Sequence, residues 1–207
     1  MTVDSLTVLA TVCFFAMASP GPDFIVITRN ALSCSLREAL ATSFGVVCGC
    51  LLHATYCIAG LALIISQSIV LFSAVKLAGA AYLIVLGYRG LRSASPSAEL
   101  GKSACPRDLG AFRAFMEGFL CNALNPKCAV FLLSLFTQFI TVDASLAARG
   151  TVAAVFVIES LIYWPLLVLL LQGGNMRRFF SRWQQSIDRI CGALLITLGI
   201  RVALSRS

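Results

Sequence analysis

The chain has 207 residues, 59% of them hydrophobic and only 12% charged, with a mean hydropathy of +0.91. About a quarter of the residues of an ordinary soluble domain are charged, so these values exclude one and point to a protein solvated by a bilayer. The net charge of +7 is no nucleic-acid footprint, because the basic residues lie in short connections between apolar runs, where they record orientation in a membrane.

A hydrocarbon core of ~30 Å takes roughly 20 apolar residues of helix. Six apolar segments stand out, at about 6–28, 39–65, 69–88, 112–140, 147–171 and 190–204. The first follows a start without a basic stretch and has no convincing cleavage site, so it is expected to be kept as a span. It contains "ASPGPDFIVIT", residues 18–28, where Pro20, Gly21, Pro22 and Asp23 interrupt the apolar run. Proline removes an amide donor and clashes with the preceding turn, so this helix is predicted to break and free carbonyl groups inside the membrane. Such groups persist only when buried in protein or lining a wet cavity.

In the second segment Gly45, Gly49 and His53 follow at i, i+4 and i+8 on one helix face. Glycines there let another backbone approach closely, within one chain or across a homodimer. A single histidine makes no metal cage, so His53 is expected to be packed and hydrogen-bonded. Lys76, near the outer end of the third segment, is expected to snorkel to the headgroups.

After a polar loop at 92–113, the fourth segment holds "NALNPKCAVF", residues 122–131. Pro126 predicts a second broken helix, and Lys127 follows it as Asp23 follows Pro22. Asp23 and Lys127 pair with each other, present opposite charges to the two ends of a zwitterion, or snorkel from helix ends to the headgroups; charges inside a membrane usually have partners or uses. Asn122 and Asn125 lie three apart on one face, placed either to satisfy freed carbonyls or to bind a polar ligand. Glu117, nearer the start of the segment, reads as interfacial.

Glu159 sits mid-span in the fifth segment, with Tyr163 one turn on and Pro165 loosening the backbone just after. It is the first candidate for proton coupling, the alternative being a purely structural hydrogen bond. The sixth segment covers only ~22 Å and must borrow flanking residues. Before it, "MRRFFSRWQQS" reads as a stretch lying in the headgroup layer.

With six spans, Arg29, Arg37, Arg89, Arg92, Lys102, Arg107, Arg113, Arg177, Arg178, Arg182 and Arg189 fall on one side, and Arg149, Arg201 and Arg206 on the other. The asymmetry predicts cytoplasmic basic loops and both termini outside. The halves also repeat. "AAYLIVLGYR" (80–89) lies over "GALLITLGIR" (192–201), matching Ala81 with Ala193, Leu83 with Leu195, Ile84 with Ile196, Leu86 with Leu198, Gly87 with Gly199 and Arg89 with Arg201. Three spans per half is an odd number, so the halves cross the membrane in opposite senses. The prediction is one all-α integral membrane domain over 1–207, built as two inverted three-helix repeats at about 1–95 and 109–207.

The nine cysteines form no C-x-x-C, and most lie inside apolar runs, where cysteine packs as a small hydrophobe. A membrane thiol-redox relay is the rival reading from another class, and a passive channel the third. No nucleophile elbow, H-E-x-x-H or Walker motif occurs, so neither an enzyme nor a cofactor or resident metal is expected.

These residues resemble the LysE/RhtB family of bacterial amino-acid exporters. The resemblance rests on "SPGPDF", "GVVCGCLLHA", "KLAGAAYLIVLGYRGLR", "GFLCNALNPKCAVFLLSLFTQF" and "DRICGALLITLGIRVAL", and it covers nearly the whole chain. It implies a small inner-membrane secondary carrier for amino acids or related metabolites, coupled to protons. Two positions depart from the family. Cys50 stands where many members carry an acid, which moves the coupling role toward Asp23 and Glu159. Thr137 stands where a proline commonly precedes Gln-Phe, which implies a straighter end to the fourth helix.

Overall fold

The computed structural model describes residues 3–19, 21–67, 69–92, 110–141, 144–173 and part of 186–204. Its elements are all helical: α1 (Val3–Ala18), α2 (Pro22–Ser33), α3 (Leu36–Gln67), α4 (Ile69–Arg92), α5 (Ala111–Ala123), α6 (Pro126–Phe139) and α7 (Leu146–Gln172). Residues 192–197 are helical as well, and no strand occurs among the described residues.

The two predicted breaks are full stops followed by restarts. Pro22 and Pro126 each open a new helix, α2 and α6, the position where a missing amide costs nothing. Asn125 caps α6, its Oδ1 accepting from Lys127 N at 2.9 Å. The chain turns by 61° between α1 and α2 and by 54° between α5 and α6. Pro165 behaves differently. α7 runs unbroken through it, so the loosening expected there does not interrupt the helix.

α3 begins in a reciprocal cap: Ser35 N donates to Glu38 Oε2 at 3.0 Å, and Glu38 N to Ser35 Oγ at 3.4 Å. The other oxygen, Glu38 Oε1, accepts from Gly110 N at 3.0 Å, at the start of α5. One carboxylate thus ties together the starts of α3 and α5, which run parallel in close contact. A Cβ at Gly45 would lie 2.7 Å from Phe119 N, and one at Gly118 would meet the Thr42 carbonyl and lie 3.2 Å from its Cα. The close partner of the Gly45/Gly49 face is therefore α5 of the same chain.

α3 over Leu36–Gly60 and α7 over Leu146–Gln172 are each long and apolar enough to cross a bilayer, as are α1 with α2 and α5 with α6 when each bent pair is taken as one span. The remaining two predicted spans correspond to α4 and the C-terminal stretch, which are described only in part. They cross each other reciprocally: a Cβ on Gly87 would lie 2.7 Å from Ile196 Cγ1, and one on Gly199 would lie 2.7 Å from Ile84 Cγ1. Residues 93–109 and 174–185, most of the two polar loops with the predicted headgroup stretch, lie outside the described residues, as does the side chain of Lys76. Cys34, in the turn between α2 and α3, is disulfide-bonded. Cys13, Cys48, Cys50, Cys57, Cys121 and Cys128 are free thiols.

Candidate functional site

Each helix break is filled by the charged residue of the other. Asp23, in the first turn of α2, reaches the second break, where its Oδ2 accepts from Asn122 Nδ2 at 2.9 Å and from Asn125 Nδ2 at 2.8 Å. Lys127, in the first turn of α6, reaches back to the first break and donates to the Ser19 carbonyl at 2.7 Å. Its side chain lies across Gly21, where an added Cβ would sit 3.0 Å from both Lys127 Cδ and Nζ. An anion suits a helix N-terminus but a cation does not, so Lys127 is held there by contacts to the opposite break. The two charges lie within electrostatic reach of each other.

Asn122 is the hub of this crossing. Gly49 makes room for its side chain, since a Cβ there would approach Asn122 Cβ to 2.7 Å. Its backbone carbonyl accepts from Asn125 N at 2.8 Å and lies 2.9 Å from His53 Nε2. His53 thus meets a carbonyl exposed where α5 ends, a need created by the break. Asn122 Oδ1 and Asp23 Oδ1 are enclosed with no hydrogen-bond partner.

Between the breaks lies a cavity of about 410 Å³, open mouth included. Ser19, Gly21, Asp23, Asn122 and Lys127 supply its polar groups; Ala16, Met17, Phe24, Cys50, Cys128, Phe131, Phe156 and Trp164 complete it. The wall therefore offers an acid, an amide and an amine together with rings and sulfur. Cys50 is buried beside the Cys128 thiol. Thr137 is buried in an uninterrupted α6 and donates to the Ser134 carbonyl at 2.9 Å.

The residues named from the sequence separate into two groups. Gly21, Asp23, Asn122 and Lys127 come together at the cavity, with Pro22, Asn125 and Pro126 shaping the breaks behind them; Pro20 lies outside the described residues. Glu159 is not in the cavity wall. It lies near Cys13 of α1, and its Oε2 is enclosed with no hydrogen-bond partner. Tyr163 shares that seam, its ring edge-on to Phe14 at 5.7 Å.

Two features escape a reading of the sequence. Arg29 and Glu117, read as a loop charge and an interfacial acid, form a part-buried ion pair between α2 and α5. Asn30 Nδ2 joins it, donating to Glu117 Oε2 at 3.0 Å and to Thr42 Oγ1 at 2.8 Å. This cluster lies on the α2–α5 seam between Asp23 and the α2–α3 turn. The apolar segment ends at Thr28, which puts Arg29 among the loop charges by sequence; α2 continues to Ser33. The second feature is Trp164, whose place in the wall nothing in the sequence signals.

The family model of the LysE type translocator matches residues 14–206. The threonine efflux protein of Escherichia coli (strain K12) is 33% identical over 96% of this chain and 97% of its own length. The threonine efflux protein of Salmonella typhi is likewise 33% identical, with the same coverage. An uncharacterized membrane protein of Bacillus subtilis, YrhP, is 25% identical over 90% of this chain and 92% of its own. No solved structure matches the chain.

Proposed function

The chain belongs to the LysE type translocator family, transporters rather than enzymes, and from that premise we propose that it exports small neutral amino acids of the threonine type across the bacterial inner membrane. The observation that carries this reading is the reciprocal filling of the two breaks. Asp23 and Lys127 hold opposite charges at one cavity, as a zwitterion requires. The substrate ammonium goes to Asp23 Oδ1 and Asn122 Oδ1, the carboxylate to Lys127, and the side chain to the wall of Phe24, Phe131, Phe156, Cys50 and Cys128.

The carrier is a single domain of six spans in two inverted repeats, about 1–95 and 109–207, with both termini in the periplasm. The matching breaks support this, and so does the crossing of α4 with the C-terminal stretch. Gly87 packs on Gly192 and Ile196, while Gly199 packs on Ala80 and Ile84. Those are the same positions exchanged under the sequence match, the signature of contact across a two-fold axis. Alternating access follows as one repeat rocks against the other, with the Arg29–Glu117 cluster opening and closing one side.

Export is secondary active, by proton antiport, and Glu159 carries the proton. Its carboxyl is the one acid of α7, on the seam where α1 and its break must move. Liposomes loaded with labelled L-threonine test this. Wild type is expected to release label faster when a proton gradient is imposed. Glu159→Gln is expected to keep threonine-for-threonine exchange and lose the response to the gradient; a variant that still responds removes Glu159 from the coupling. A wild type that releases no amino acid at all refutes the function itself.

A further inference from the structure

We propose that Trp164 is a substrate-binding residue, its indole N–H serving as a second donor to the carboxylate that Lys127 attracts. This rests on the reading of the cavity as an amino-acid site.

Trp164 is only 3% exposed and forms part of the cavity wall, and its Nε1 is enclosed with no hydrogen-bond partner. An indole N–H is a donor only, and when buried it usually finds an acceptor. Leaving it unmet is costly. The nearby groups do not satisfy it. The Tyr163 ring packs edge-on at 4.8 Å, and Ser160 Oγ, one turn earlier on α7, donates to the Phe156 carbonyl at 2.8 Å.

Among the described cavity-wall residues, three enclosed side-chain atoms lack a partner: Asp23 Oδ1, Asn122 Oδ1 and Trp164 Nε1. Two acceptors and one donor in the wall of one cavity complement the ammonium and the carboxylate of one amino acid. A carboxylate accepts at several lone-pair positions, and Lys127 already gives a proton to Ser19 O. The lysine supplies charge without filling those positions. Trp164 supplies a further hydrogen bond from a rigid, preorganised group. Every amino acid carries the carboxylate, so the contact serves affinity for the class rather than choice of side chain.

The test is counterflow of labelled L-threonine and L-valine in liposomes with purified wild type and Trp164→Phe, which keeps a ring and removes the donor. The expected result is a KM raised about tenfold or more for both amino acids, with the maximal rate largely kept and the melting temperature in detergent unchanged. Unchanged KM values overturn the proposal. A rise for threonine alone also overturns it, because the N–H then serves the side-chain hydroxyl. Wild type that exchanges neither amino acid sinks the cavity reading and the proposal together, a different outcome from a silent Trp164→Phe. Should Trp164→Phe fail to fold, Trp183→Phe leaves Trp164 as the only tryptophan. L-Threonine is then expected to shift its emission, and no shift overturns the proposal.

Discussion

Asp23→Asn and Lys127→Ala are each expected to lower amino-acid exchange about a hundredfold, the scale of losing one charge-assisted contact in a site shielded from water. The asparagine keeps the shape of Asp23. By turning its amide oxygen toward Asn122 Nδ2 and Asn125 Nδ2, it preserves both hydrogen bonds that Asp23 Oδ2 now accepts. The protein should therefore fold, and the lost activity reports the missing charge. Lys127→Ala removes the side chain that lies over Gly21 and leaves the Ser19 carbonyl without its Nζ donor. The two sites share one network, so the double variant should be little worse than either single one. Strict additivity of the two losses would mean that the charges act at separate places.

The other large effect concerns stability. Gly45→Val and Gly118→Val are each expected to destabilise the protein by about 3 kcal/mol or more, through overpacking that no rotamer relieves. At both positions the added carbon would meet backbone atoms of the partner helix: Phe115 O and Phe119 N for Gly45, Thr42 O for Gly118. Thermal unfolding in detergent checks this, with Gly60→Ala as the control, because a Cβ at Gly60 meets nothing within 4 Å. The test separates a seam that requires glycine from a general intolerance of bulk in α3.

The breaks were legible because their chemistry is local. Proline at the first position of a helix, with its charged neighbour, can be read from three residues. The glycine face of α3 was legible too, though which helix fills it was not. That choice depends on Glu38 joining the starts of α3 and α5, residues far apart in sequence. The Arg29–Glu117 pair was hidden for a similar reason, since counting loop charges assigns each to its own connection. α7 presents the hardest case. It is apolar around its whole circumference, so periodicity does not tell its protein side from its lipid side. Glu159 therefore stood out as the charge, whereas Phe156 and Trp164 take the cavity wall.

Competition for threonine counterflow by L-threonine, its methyl ester and its N-acetyl derivative tests most directly whether the two breaks together bind both ends of a zwitterion. The free amino acid should compete strongly. The ester, without a carboxylate for Lys127, and the N-acetyl form, without an ammonium for Asp23, should each compete at least tenfold more weakly. Equal competition by either derivative would contradict a shared, two-ended site.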